Sequence, residues 1–185
     1  MTLGTQFNSV MTAARTGAPW ALEALYRDLQ PRVLRYLRVH EPGVAEDLAS
    51  DTWIGVAKGV PGFLGGEEEF HALVFTVARR RVLDHRRTEA RRRTAPSDPG
   101  SMEGLGPVAD AESDAMDRLG EGWALKLVSE LPPDQADVVL LRVIGDLSVK
   151  DVASILDKQP GAVRALQHRA IRRLAARLGE EAVTP

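Results

Sequence analysis

Cysteine is absent from the 185-residue chain, so disulfide scaffolds and sites ligated by thiolates are excluded. Long apolar runs are absent as well. The longest purely aliphatic run, Val138 to Leu141, is far shorter than the about 20 apolar residues that a membrane-spanning helix needs. The amino-terminal stretch has neither the basic start nor the compact apolar run of a secretory signal. We therefore expect a cytoplasmic protein with no membrane span.

Residue patterns typical of catalysis are also lacking. The four histidines are His40, His71, His85 and His168. They lie in no HExxH motif, and the chain has no glycine-rich phosphate-binding loop. His168 has no second histidine at a metal-ligand spacing. We expect a protein that is not an enzyme and that carries no cofactor and no metal.

Charge is balanced overall but strongly segregated along the chain. The 24 Lys and Arg nearly match the 26 Asp and Glu. Residues 41–70 carry seven acids and one base, whereas residues 79–93 carry eight arginines and two acids. Residues 94–122 are acidic again, and residues 161–178 contain five arginines and no acid. This pattern predicts two basic surfaces for phosphate and an acidic surface for a protein partner.

Apolar residues recur at helical spacing and no segment alternates, which predicts an all-α protein. Residues 94–122 are rich in Pro, Gly and acids and poor in large apolar residues, so we interpret them as a flexible acidic linker. The linker separates two small helical domains, 1–93 and 123–185. Pro19 can begin a helix, which we expect Pro31 to kink or divide.

The sharpest local signal is a helix-turn-helix pattern near the carboxyl end. Ser148 to Asp151 resembles a capping box that opens a short helix, and Pro160 opens a longer one after a tight turn. Opposite the apolar face of this second helix lies an arc consisting of Arg164, Ala165, His168, Arg169 and Arg172. Such a helix typically enters the DNA major groove, although an ordinary helical hairpin is the alternative.

Four segments, in order, resemble the extracytoplasmic-function sigma factors of bacterial RNA polymerase. GAVRALQHRAIRRL (161–174) is similar to their recognition helix, and LPPDQADVVLLRVIGDLSVKDVASIL (131–156) to the helices before it. VAEDLASDTWIGV (44–56) resembles the helix that docks on the polymerase clamp. FHALVFTVARRRVLDHRR (70–87) resembles the element that opens the minus-ten region of the promoter.

The resemblance implies a role for individual residues. The clamp-binding residues would be Glu46, Asp47, Leu48, Asp51 and Trp53, and the minus-ten contacts would be Arg79, Arg80, Arg86 and Arg87. The arc from Arg164 to Arg172 would read the minus-thirty-five element, and the loop 59–66 would hold a flipped base. Implied partners are core polymerase, through the clamp and flap of its large subunits, promoter DNA and an anti-sigma factor.

Two departures from the family and two rival functions stand beside this interpretation. Leu73 stands where relatives often have Trp, and Arg80 stands where Asn is common, so an aromatic wedge for strand separation is not expected. A stand-alone dimeric helix-turn-helix regulator is the first rival, but it has no use for an acidic docking helix. A metal-dependent helical hydrolase, using Asp84 with His85 or Asp47 with Asp51, is the second.

Overall fold

The structure, a computed structural model, describes residues 3–94 and 115–181, and these residues form eight α-helices without a strand. The first domain contains α1 (Phe7–Arg15), α2 (Pro19–His40), α3 (Ala45–Gly59) and α4 (Glu67–Thr94). The second contains α5 (Ala115–Ser129), α6 (Pro133–Val139), α7 (Val149–Leu156) and α8 (Pro160–Glu181). The all-α prediction is confirmed, and no described helix is both long and apolar enough to cross a bilayer.

Helix α2 runs unbroken through Pro31, so the predicted division of the helix there is wrong. Proline removes one backbone hydrogen bond and usually breaks a helix interior. Here the apolar stripe on either side of Pro31 is buried completely, with Leu29 and Val33 both at 0% exposure. Tertiary packing of this stripe outweighs the local penalty, because most helix stability in proteins comes from packing rather than propensity.

The first domain is built on the packing of α2, α3 and α4. Its core includes the fully buried rings of Tyr36 and Phe75, which meet edge to face with centroids 5.7 Å apart. Helices α3 and α4 approach closely at Gly55, where an added Cβ would lie 3.1 Å from Val77 Cγ1. The chain between them, within the predicted 59–66 loop, makes a 3₁₀ turn at Val60–Gly62.

The second domain contains the predicted helix-turn-helix. Ser148 caps α7: its Oγ accepts from Asp151 N at 3.1 Å and donates to Asp151 Oδ2 at 2.5 Å. Asp157 ends α7 in the left-handed conformation, with φ of 51°. Three residues then separate α7 from α8, whose first residue is Pro160. The Ser148 cap and the tight turn are thus both present where the sequence predicted them.

Helix α5 begins earlier than expected. Residues 115–122, the end of the predicted linker, are helical, because the apolar spacing of Met116, Leu119 and Trp123 continues the helix pattern upstream. The remainder of the predicted linker, 95–114, lies outside the described residues. Directly after α6, the chain widens into a π-helical turn at Leu140–Ile144 before the helix-turn-helix.

Replacing Ser148 by Ala should destabilise the second domain by about 1 kcal/mol, because the Asp151 amide then loses its cap. Urea unfolding followed by circular dichroism measures this change. Thr at the same position retains a hydroxyl and serves as the matched control. An unfolding midpoint for the Ala variant equal to that of the wild type would contradict the capping role.

Candidate promoter and polymerase-binding surfaces

The predicted recognition arc lies on the solvent face of α8. Its five members, Arg164, Ala165, His168, Arg169 and Arg172, are all exposed. The opposite side of the helix is anchored in the core through Val163 and Ala170, both at 0% exposure. Burial on one face thus holds the basic arc outward, in the orientation that a groove-binding helix requires.

The apolar face of α8 is shorter than the sequence predicted. Ile171 and Leu178 belong to the predicted core face but are 53% and 44% exposed, and Leu174 is half-buried. Helix α8 packs against α6 and α7, and its fully described buried residues, Val163, Leu166 and Ala170, all lie in its first three turns. Periodicity alone therefore overestimated the buried length.

The four arginines predicted for the minus-ten region differ in exposure, since Arg80, Arg86 and Arg87 are exposed and Arg79 is half-buried. Arg80 and Arg87 are exposed on α4, at 80% and 71% side-chain exposure, and both pair with Asp84. Arg86 instead donates from Nε to Glu41 Oε1 at 2.5 Å and from Nη2 to the His40 carbonyl at 3.1 Å. Arg79 is 22% exposed and faces the second domain.

Three carboxylates make the exposed face of α3 acidic, as predicted: Glu46, Asp47 and Asp51 all face solvent. Glu46 accepts from Arg38 Nη2 at 2.8 Å, and this hydrogen bond lowers the pKa of Glu46 below its ordinary value. Glu46 is thus paired within the domain, whereas Asp47 and Asp51 are exposed where a basic partner could meet them.

The apolar part of the predicted polymerase contact needs correction. Leu48 is 7% exposed and packs in the core of the first domain, so it offers no surface to a partner. Trp53 is half-buried, with its Nε1 donating to Gln30 Oε1 at 2.6 Å and its ring 5.1 Å from that of Tyr26. Ile54, which was not among the predicted polymerase contacts, is 54% exposed. The sequence could have indicated this residue, because Ile54 follows Asp47 by seven residues and Asp51 by three, which puts all three on the same face of the helix.

The two domains are joined by a buried ionic cluster that was not predicted. Asp137 of α6 places Oδ1 at 2.9 Å from His40 Nε2 and Oδ2 at 3.5 Å from Arg79 Nε. Tyr36 donates its hydroxyl to Asp137 Oδ1 at 3.1 Å. We name Asp137, His40, Arg79 and Tyr36 the Asp137 cluster. Its partners are over forty residues away in sequence, so no local pattern could reveal it.

Electrostatics in this cluster favour an ionised carboxylate. The side chain of Asp137 is 13% exposed, and burial alone would raise its pKa. The His40 imidazole, the Arg79 guanidinium and the Tyr36 hydroxyl together outweigh burial and hold the pKa of Asp137 below its ordinary value. Burial, helped by the Asp137 charge, raises the pKa of Tyr36 well above its ordinary value, so Tyr36 remains a hydrogen-bond donor.

A second polar contact between the domains lies at the end of the π-helical turn. Arg32 of α2 donates from Nε to the Ile144 carbonyl at 2.7 Å and from Nη2 to the Gly145 carbonyl at 2.8 Å. Helix carboxyl ends carry unsatisfied carbonyls and partial negative charge, which a guanidinium complements. Arg32 therefore caps, from the first domain, the helix that precedes the helix-turn-helix.

Among the described residues, one trio has donor atoms close enough for a metal ion: Asp28, Glu67 and His71, whose ligand atoms lie within 4.8 Å of one another. His71 Nε2 is 3.8 Å from Asp28 Oδ2 and 4.0 Å from Glu67 Oε1. Burial raises the pKa of Asp28, and burial with the nearby Arg32 charge lowers the pKa of His71. The nearby guanidinium opposes a second cation, so we interpret the trio as structural.

The lowered pKa of His71 predicts a specific pH dependence. The unfolded chain takes up a proton near pH 6.5 that folded His71 resists, so the free energy of unfolding falls as the pH drops below about 6.5. Replacing His71 by Gln should remove this component. Urea unfolding at pH 7.5 and pH 5.5 measures it: the loss of stability should be smaller in the variant by up to about 1 kcal/mol. An equal loss in both proteins would contradict the assignment.

Comparison with known proteins identifies the two domains. Residues 25–92 match the model of sigma-70 region 2, and residues 122–174 match that of sigma-70 region 4. The chain is 31% identical to the ECF RNA polymerase sigma factor ShbA of Streptomyces griseus, over 93% of this chain and 95% of the relative. It is 30% identical to the ECF sigma factor SigD of Mycobacterium tuberculosis, over 92% and 83% of the two chains.

Solved structures show the same fold. The chain is similar to CnrH in complex with the cytosolic domain of CnrY, with a TM-score of 0.64, 17% identity, and coverage of 96% of this chain and 99% of that one. It is also similar to the sigma factor RpoE of Bartonella quintana in complex with the anti-sigma factor NepR. That match has a TM-score of 0.62, 21% identity, and coverage of 85% and 96%.

This chain therefore belongs to the extracytoplasmic-function sigma factors, which direct promoter-specific initiation of transcription by RNA polymerase. Members of this family act by binding and not by catalysis. The rival interpretations as a stand-alone regulator or a helical hydrolase do not account for a region 2 domain followed by a region 4 domain.

Proposed function

We propose that the chain acts in the cytoplasm by holding core polymerase through α3 while its two domains contact separate promoter elements. The observation that carries this proposal is the division of charge between exposed faces. The arc of α8 is basic, the face of α3 is acidic, and each face is held outward by a buried apolar face behind it. One surface suits phosphate and base edges, and the other suits a basic protein surface.

Recognition of the minus-thirty-five element is assigned to α8. Arg164 and Arg169 occupy the early turns, which lie closest to the short helix α7 and reach base edges in helix-turn-helix proteins. Arg172, one turn later, is placed to contact phosphate. His168 and Ala165 complete the surface, with Ala165 small enough to allow close approach to the groove.

Recognition of the minus-ten region is assigned to α4 and the loop before it. Arg80 and Arg87 are already exposed, and their pairs with Asp84 are weak enough to exchange for phosphate. The loop presents Leu64 at 85% exposure. We infer that this apolar side chain packs against an unstacked base, since Leu73, at the position often aromatic in relatives, is half-buried.

Docking on the clamp is assigned to Asp47, Asp51 and Ile54, with Glu46 and Trp53 at the margin. Exposed charges contribute modestly to affinity but strongly to association rate and specificity, whereas a partly exposed aliphatic side chain gains affinity when a partner covers it. The flap of core polymerase and an anti-sigma factor are further partners in the proposal. The sigma factor RpoE of Bartonella quintana, which has a similar fold, was solved with the anti-sigma factor NepR bound.

Reversing charge on α3 tests the docking assignment. The double change Asp47→Lys and Asp51→Lys should weaken binding to core polymerase about tenfold or more, because attraction becomes repulsion. Neutralisation to Asn at both positions should have a smaller effect. Titration of labelled sigma factor with core polymerase measures the Kd, and circular dichroism checks the fold. Equal Kd values for all three proteins would exclude this face.

Truncating the recognition arc tests the assignment of α8. Arg164→Ala and Arg169→Ala should each reduce run-off transcription from a minus-thirty-five-dependent promoter, since a lost base contact is worth about 1–3 kcal/mol. Arg177→Ala is the matched control: it lies on the same helix, outside the arc, and pairs with Glu130. Core polymerase without sigma factor sets the baseline. If the control lost activity and the arc variants did not, the recognition surface would have to lie elsewhere on the protein.

A further inference from the structure

The loop between α3 and α4 consists of apolar residues and glycine. Residues 59–66 read GVPGFLGG, a segment without a polar side chain. Val60 is buried and Phe63 is half-buried against the core of the first domain, whereas Leu64 is 85% exposed. Leu64 is therefore the large side chain that the loop presents to an unstacked base.

The residues on both sides of Leu64 are fixed to the domain. Before it, the ring of Phe63 meets that of Phe70 edge to face, with centroids 5.5 Å apart. After it, Glu69 Oε2 accepts from Gly66 N at 3.0 Å. The outward position of Leu64 is thus set by the shape of the loop, before any DNA binds.

Gly65 allows the loop to keep this shape. A Cβ added at Gly65 would lie 2.8 Å from Phe63 Cζ and 2.8 Å from Glu69 Cβ. Both distances are shorter than the about 3.5–4.0 Å at which carbon atoms pack, so a side chain at this position must displace the loop. By contrast, a Cβ added at Gly59, the last residue of α3, would meet no atom within 4 Å.

A base held by this loop meets an apolar side chain and not a hydrogen-bonding one. Leu64 can neither donate nor accept a hydrogen bond. Of the carboxylates that follow the loop, Glu67 accepts from Gly4 N at 3.1 Å and Glu69 caps the loop. Glu68 is exposed, and a carboxylate would favour the amino group of cytosine. Thymine is the one base with a methyl group, through which apolar side chains recognise it.

We propose that the loop selects thymine at the unstacked minus-ten position through packing of the thymine methyl group on Leu64, and that Gly65 is the residue that positions Leu64. This inference rests on the proposed function, because it names the base that the minus-ten loop holds. Burial of one methyl group is worth about fourfold in the stability of the complex. The hydrogen-bonding edge of the base contributes nothing to this selection.

Base analogues separate the methyl group from the hydrogen-bonding edge. Promoter templates are mismatched over the minus-ten element, so that differences in base pairing do not enter. Each non-template position in turn carries thymine, deoxyuridine, cytosine or difluorotoluene. Deoxyuridine lacks only the methyl group of thymine, whereas difluorotoluene keeps the shape and the methyl group without strong hydrogen bonding. The half-life of the open complex formed by the holoenzyme is measured on each template.

At one position, deoxyuridine should shorten the half-life about fourfold relative to thymine. Difluorotoluene should give a half-life at least as long as that of thymine. Equal half-lives with thymine and deoxyuridine at every position would overturn the proposal. A longest half-life with cytosine, as recognition by Glu68 predicts, would overturn it as well.

Variants of the chain test the two residues in the same assay. Leu64→Ala and Gly65→Ala should each reduce the ratio of the thymine half-life to the deoxyuridine half-life from about four to about one. Leu64→Met, which retains a large apolar side chain, and Gly59→Ala, the matched glycine control, should keep the ratio. Because the ratio compares two templates on one protein, a general loss of stability or of polymerase binding cancels. Circular dichroism checks the fold.

The variants also have contradicting outcomes. An unchanged ratio in Leu64→Ala would overturn the role of Leu64, and an equal loss in Gly59→Ala and Gly65→Ala would overturn the positioning role of Gly65. If the parent chain opens no template at all, the proposed function itself fails. An open complex that is insensitive to the methyl group refutes this inference alone, so the two failures give different results.

Discussion

A buried carboxylate lies at the centre of the polar contacts between the two halves of the molecule. Asp137 lies in the second domain, and its ionised form is held by an imidazole, a guanidinium and a phenol from the first. A carboxylate taken out of water is tolerated only where such partners are in place. This contact joins the domain that carries the acidic face of α3 to the domain that carries the basic arc of α8, together with Arg32 and the packing of α2 and α4 on the second domain.

Local features of the fold could be predicted because local chemistry determines them. The cap at Ser148, the turn after α7 and the outward basic arc of α8 all follow from side chains within a few residues of one another. Long-range packing accounts for the errors. Pro31 is tolerated because the apolar stripe of α2 is fully buried, and Leu48 faces the core although its neighbours are acidic. The helical period shows which residues share a face but not which face meets another helix.

The candidate binding surfaces could be predicted from the sequence about as well as the fold. Charge segregation identified the acidic and basic surfaces, and the exposed residues of α3 and α8 agree with it. The arginines of α4 show what charge segregation could not predict. Arg80, Arg86 and Arg87 are exposed, whereas Arg79 is half-buried beside Asp137, to which no spacing rule relates it. Residues that join two domains carry no periodic signal, so the sequence pattern could not show that Arg79 lies at the domain contact.

Association of the two domains in the absence of any partner is the central claim. Small-angle X-ray scattering by the monomeric wild-type chain tests it most directly, because the pair-distance distribution distinguishes one body from two. The account predicts a single peak for the free protein at neutral pH. Two separated maxima, from domains that tumble apart, would contradict it.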